Sequence, residues 1–194
     1  MSDTDADAMP EEAPSYVALL RGINVGGRNL IRMSDLAACF SAHGFEDVAT
    51  YIQSGNVLFR ADEENRAELV ARIEQMLSSA FDYQACVALR DAHEMRAVVD
   101  EAPDRFGREP DRFRYDVVFL VPPLTPDAVM EDLAPREGVD RVWAGRDVLY
   151  FSRLTVRAAQ SRLSRLASMP VYQRMTIRNW NTTTKLLQLM GVDG

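Results

Sequence analysis

Val48-Ala49-Thr50-Tyr51-Ile52-Gln53-Ser54-Gly55-Asn56-Val57-Leu58-Phe59 reads as two strands joined by a turn. Val48 to Ile52 and Val57 to Phe59 are rich in β-branched and aromatic residues. Gly55 between them can take the positive φ that such turns require. Upstream, Tyr16-Val17-Ala18-Leu19-Leu20 is a near-continuous apolar run, as expected of a buried strand. A glycine-rich loop follows, and then a helix with Leu36, Ala37 and Phe40 on its apolar face. Ser34 is placed to cap it and Gly44 to stop it. Downstream, Leu69, Val70, Ile73, Met76, Leu77, Ala80 and Phe81 recur at three- and four-residue spacing, a second amphipathic helix. Glu63, Glu64 and Glu68 favour its N-terminus, and Tyr83 to Leu89 closes the unit as a strand. The order is β-α-β-β-α-β, the split pattern of ferredoxin-like folds, with both helices on one face of an antiparallel sheet.

After a helix over Asp91–Asp100 (Met95, Val98 and Val99 inward) and a charged, proline-containing linker over Ala102–Arg112, the pattern restarts. Tyr115 to Val121 is a strand, and Thr125-Pro126 opens a helix carrying Val129, Met130 and Leu133. Arg141–Trp143 and Val148–Phe151 form a hairpin across Gly145-Arg146. One helix with Val156, Ala159, Leu163 and Leu166 inward ends before Pro170, and Val171 to Ile177 is the last strand. The hairpins match best, Val57-Leu58-Phe59 against Val148-Leu149-Tyr150 with one inserted residue before them. The fold expected is α+β: two tandem ferredoxin-like (βαββαβ) subdomains from an internal duplication, plus a C-terminal helix over Asn179–Met190. The boundaries are a disordered acidic tail (1–14), a first subdomain (15–90), a connecting helix and linker (91–112), and a second subdomain with the C-terminal helix (113–194).

No stretch approaches the roughly 18 apolar residues of a membrane span, and the N-terminus lacks a secretory signal. Cys39 and Cys86 are too few for a disulfide framework, which points to a cytoplasmic protein. The net charge of −7 is unevenly spread. Residues 1–14 carry five acids and no base, whereas Arg153 to Val192 carry seven bases and no acid. A basic third of this kind either packs beside acidic surface in the same molecule or offers an anion-binding face.

Three polar stretches stand apart from the scaffold: Arg21-Gly22-Ile23-Asn24-Val25-Gly26-Gly27-Arg28-Asn29, Gln53-Ser54-Gly55-Asn56, and Arg178-Asn179-Trp180-Asn181-Thr182-Thr183-Thr184-Lys185. The first lacks the Lys-Ser/Thr that a phosphate loop places after its second glycine. Its glycine amides and arginine forks nonetheless suit phosphate or carboxylate. The third sits at a helix start, where free N–H groups favour an anion and Trp180 can stack on a base or sugar. Cys39 and His43 lie one helical turn apart, but two ligands do not make a zinc site, and His93 is in another segment. No metal or cofactor is expected, and no nucleophile–base pair appears.

These motifs resemble the signatures of a bacterial family, domain of unknown function 1697, over nearly the whole chain from Tyr16 to Met190. The resemblance implies a cytoplasmic α+β protein of two related ferredoxin-like subdomains and no established activity, so no catalytic residue carries over. The expected function is binding of a phosphate-bearing or other anionic ligand, a nucleotide or RNA end. Its residues would be Arg21, Asn24, Gly26, Gly27, Arg28, Asn29, Arg178, Asn179, Trp180, Asn181, Thr182 and Lys185, with Gln53, Ser54 and Asn56 in a lesser role. The alternatives are an enzyme on a small phosphorylated or carboxylated substrate and a structural or oligomerisation module, a homo-oligomer being possible in each. The loop after the first strand is expected at the opposite end of the sheet from the Gln53–Asn56 turn.

Overall fold

The computed structural model describes residues 15–27, 29–62, 65–166 and 168–191. The acidic tail, Arg28, Glu63 and Glu64 lie outside them. In the first half, β1 (Ser15–Leu20), α1 (Met33–Ala42), β2 (Glu46–Tyr51), β3 (Asn56–Arg60), α2 (Arg66–Ala80), β4 (Val87–Asp91) and α3 (Ala92–Asp100) follow in turn. The second half contains β5 (Phe113–Leu120), α4 (Pro126–Asp132), β6 (Asp140–Ala144), β7 (Val148–Leu154), α5 (Leu163–Leu166), β8 (Met175–Asn179) and α6 (Trp180–Leu189). The strands make two four-stranded sheets, β2-β3-β1-β4 and β6-β7-β5-β8, with every neighbouring pair antiparallel.

Both faces of both sheets are buried, and strand alternation sorts their residues into three cores. Ala18, Leu20, Val57 and Phe59 face α1 and α2, meeting Leu36, Phe40, Leu69 and Ile73. Val17, Leu19 and Leu58 turn the other way, into a central core shared with Val117, Phe119, Val148 and Tyr150 of the second sheet. Met95 and Val98 of α3 and Leu186 and Leu187 of α6 complete that core. On the far side, Val118, Leu120, Leu149 and Phe151 pack on Val129, Leu163 and Leu166. The central core explains why β1 and β5 read as unbroken apolar runs.

Several local expectations change. Arg32, not Ser34, occupies the N-cap position of α1, with no side-chain cap, and Ser34 lies within the first turn. The helix expected through Val156 and Leu166 is broken into a 3-10 turn (Thr155–Gln160) and the four-residue α5, and Val156 is 88% exposed. The break is polar in origin: Ser161 Oγ accepts from Leu163 N, and the buried Asp140 carboxylate accepts from Arg162 N. Residues Pro170–Arg174 form a second 3-10 turn, so the last strand starts only at Met175. The segment between α3 and β5 is anchored by Phe106, buried in the central core within 5.4 Å of the Tyr115, Tyr150 and Trp180 rings.

The hairpin match also shifts by one residue. Leu20 N donates to Gly55 O as Leu120 N donates to Asp147 O. Leu19 therefore pairs with Asn56 as Phe119 pairs with Val148. Val57 thus corresponds to Leu149 and Leu58 to Tyr150, each pair on the same face. The apparent similarity of Val-Leu-Phe and Val-Leu-Tyr places them one residue out, which would turn every side chain to the wrong face.

Candidate functional site

Because β1 and β3 are antiparallel, the end of β1 meets the start of β3. The loop after β1 and the Gln53–Asn56 turn therefore share one end of the sheet, contrary to the expectation that they lie at opposite ends. Asn24, with φ of 53°, donates through Nδ2 to Gln53 O (2.9 Å) and Ile31 O (3.0 Å), while its Oδ1 accepts from Ile31 N. Asn29 Nδ2 donates to Gly22 O, and Asn24 N to Asn29 O. The loop is thus closed by its own asparagines. Gly26 and Gly27 form an exposed part of it, both at positive φ. Gly55 has a different constraint: a Cβ there would lie 2.6 Å from Ile23 Cδ1.

Arg178 joins this cluster from the other sheet. Its Nε donates to Asn56 Oδ1 (2.5 Å), its Nη1 to Thr176 Oγ1 and Ile177 O, and its Nη2 to Leu20 O, Ser54 O and Gly55 O. A guanidinium has five N–H donors, and here six acceptors surround them. Asn56 is fully buried and is itself fixed by donating to Tyr51 O and Ser54 Oγ. Burial lowers the Arg178 pKa to about 10. Arg21 adds a second link, with Nε donating to Tyr172 O (3.0 Å) and the guanidinium over the Tyr172 ring.

The opposite contact exists too. Arg90, buried on β4, donates through Nη2 to Leu120 O (2.9 Å) and Asp147 O (3.1 Å), and through Nη1 to Leu89 O. Leu120 and Asp147 correspond to Leu20 and Gly55, and Leu89 to Ile177. Each sheet's last strand therefore sends an arginine to the end of the other sheet's central strand. The residue after each arginine caps the next helix: Asp91 accepts from Glu94 N in a full capping box, and Asn179 accepts from Thr182 N. Sequence reading missed Arg90. Its signal was Leu89-Arg90-Asp91, a charge closing an apolar strand, beside Ile177-Arg178-Asn179.

Asn179, Trp180 and Asn181 do not join the loop cluster. They line a cavity of about 350 Å³ together with Phe113, Arg114, Tyr115, Asp116 and Arg153. Here the start of α6 meets β5 and β7. Asp116 Oδ2 lies 3.0 Å from Arg153 Nη2, with its side chain 10% exposed. That oxygen is closed to solvent and makes no aligned hydrogen bond, as is Arg153 Nε. Burial raises the Asp116 pKa, against the lowering pull of Arg153 and Arg114. Trp180 stands edge-on to Phe106 at 5.1 Å and above Gly107, whose missing Cβ makes room for the indole. Thr182 is buried, and the exposed Lys185 reaches Gln188 Oε1 at 3.5 Å. Arg114, Asp116 and Arg153 were not singled out from sequence. Arg114 and Arg153 are cross-strand partners in the β5–β7 register, a pairing visible only once the hairpin is aligned. Among the described residues no cluster of three His, Cys, Asp or Glu is placed to hold a metal.

The chain is similar to a solved structure described as that of conserved bacterial protein SP0830 from Streptococcus pneumoniae. The two share 26% identity and a TM-score of 0.80, covering 91% of this chain and 98% of that one. Among curated proteins nothing matches. The family described as Protein of unknown function (DUF1697) matches residues 14–150. With more than half of its length so matched, the chain belongs to that family.

Proposed function

We propose that this chain is a cytoplasmic binding protein made of two duplicated ferredoxin-like units, and that its ligand is an anion carrying a flat ring, a nucleotide or an RNA end. The observation that carries the reading is the composition of the cavity at the start of α6. One wall holds two cations, Arg114 and Arg153, and the other an indole flanked by the amides of Asn179 and Asn181. Phosphate suits the arginines and the first N–H groups of α6, while a base suits the Trp180 and Tyr115 rings. The volume falls in the range of ordinary small-ligand sites, roughly 300–1,000 Å³. We read it as a binder rather than an enzyme because the single carboxylate of its lining, Asp116, is held against Arg153.

A second reading, that of a structural module, fits the first two polar stretches together with Arg178. The hydrogen-bonding groups of Asn24, Asn29, Asn56 and Arg178 are turned on the chain's own backbone and side chains. They hold the halves together and shape the exposed loop tip.

Calorimetry with GMP, AMP, inorganic phosphate and a 5′-phosphorylated trinucleotide RNA tests the ligand. Arg114 and Asn181 are exposed, so Arg114→Ala and Asn181→Ala leave the fold intact. Binding of a nucleotide or the RNA should weaken by about tenfold or more in Arg114→Ala, the loss of one charge-assisted hydrogen bond, and should weaken as salt rises. No heat with any of these probes, or equal affinity in Arg114→Ala, sinks the proposal.

A further inference from the structure

The largest of the cavities described, about 490 Å³, is a groove between α2 and the second half, floored by the edge strand β4. Its lining includes Ala67, Val70 and Ala71 of α2, Val87 to Arg90 of β4, and Val121 and Pro122 opposite. The ladder between β1 and β4 decides which backbone groups face it. Arg21 N donates to Cys86 O, so alternation turns residues 86, 88 and 90 toward β1 and residues 87, 89 and 91 toward the groove. Two of the outward N–H groups are already met by carboxylates, Val87 N by Glu74 Oε1 and Asp91 N by Glu94 Oε2, each at 2.9 Å. Leu89 O is met by Arg90 Nη1 at 2.8 Å. What remains facing the groove is the Val87 carbonyl and the Leu89 N–H.

That remainder has a direction. In an antiparallel ladder an incoming residue needs both groups of one edge residue, and neither Val87 nor Leu89 has both to give. In a parallel ladder one incoming residue donates its N–H to the carbonyl of residue i and accepts from the N–H of residue i+2. Val87 O and Leu89 N are that pair. We propose that the groove binds a short peptide in extended form, added to β4 as a parallel strand. The peptide's amino end then lies beside Glu74 near Val87, and its carboxylate beside Arg66 near Asp91. Arg66 is bound to Glu94 and lies 3.6 Å from Asp91, which fixes its guanidinium at that end with N–H groups to spare. Arg174, on the wall near Glu74, is engaged with Pro122 O. From Val87 to Asp91 the strand runs about 13 Å at ~3.3 Å per residue. A tripeptide, about 10 Å long when extended, fits between the two charged ends. The alanines of α2 leave the groove open for its side chains. Backbone pairing supplies the affinity and the flanking apolar residues the selectivity.

The test uses a pool of free tripeptides randomised at every position, and the same pool with the central amide nitrogen methylated. Binding is read by calorimetry and by hydrogen exchange of the Leu89 amide. The unmethylated pool should bind and slow exchange at Leu89, and methylation should weaken binding by about tenfold or more, the loss of one backbone hydrogen bond. Ala71→Trp, on the exposed face of α2, should fill the groove and abolish binding with unchanged circular dichroism. The proposal is overturned by no binding of the free pool at millimolar concentration, by equal binding of the methylated pool, or by unaltered Leu89 exchange in the complex.

Discussion

Arg178 and Asp116 are both buried charges, yet they occupy opposite situations. Every N–H of Arg178 is directed at an acceptor, and three of those acceptors are carbonyls of the other half. Arg178→Ala strands Ser54 O and Asn56 Oδ1, each costing on the order of 1–3 kcal/mol, while Leu20 O keeps the Thr176 hydroxyl and Gly55 O keeps Leu20 N. Chemical denaturation should therefore show a loss of about 3 kcal/mol or more, and Arg178→Lys should recover only a small part of it because an ammonium lacks the planar fork. Asp116 has one ion pair and a carboxyl raised by burial. Its proton is bound more tightly in the folded chain than in the unfolded one. The stability it contributes is complete below the ordinary carboxyl value of 3.8 and is lost as pH rises through the raised folded value. Melting temperatures of Asp116→Asn should show a shallower decline over that window, and an unchanged slope would contradict the assignment. The sequence marks Arg178 as a ligand contact, whereas the guanidinium is turned onto the chain itself. Four of its six acceptors lie more than 120 residues away, and nothing local distinguishes a guanidinium aimed at a ligand from one aimed at a distant strand end.

At the scale of elements, long periodic patterns were readable and short polar corrections were not. The stripe of α2 and the Thr125-Pro126 start of α4 appear where the sequence places them, and of the two asparagines able to cap α6, Asn179 and Asn181, Asn179 does so. The broken helix before β8 does not, because Asp140 accepts from Arg136 N and Arg162 N across a fold that periodicity cannot foresee. The same holds for the segment between α3 and β5. Its prolines and charges read as a linker, yet Phe106 and Gly107 seat α6 through Trp180. Gly107 sits at φ of 80°, and a methyl group there would overlap the indole. Gly107→Ala should lower the melting temperature and shift Trp180 fluorescence toward that of exposed indole. An unshifted spectrum would mean that α6 is held without this contact. The candidate cavity was half legible for a related reason: helix α6 announces Asn179, Trp180 and Asn181, whereas Arg114 and Arg153 come from strands that only the register brings together.

At the scale of the molecule, the central core belongs to neither half alone. Among the described residues, Val17, Leu19 and Leu58 are covered by α3, α6, Phe106 and the other sheet, so each half by itself would expose much of an apolar sheet face. The exchange of Arg90 and Arg178 across that core makes the contact reciprocal: what the first half gives, it also receives. A reciprocal surface within one chain is geometrically the same as the self-complementary surface of a two-fold dimer. Nothing in Leu20 O or Leu120 O distinguishes an arginine of its own chain from that of another. The segment between α3 and β5, tethered through Phe106, is then what keeps the exchange within one chain. Loosening it would let two chains trade halves, each arginine finding its usual carbonyl in the wrong molecule.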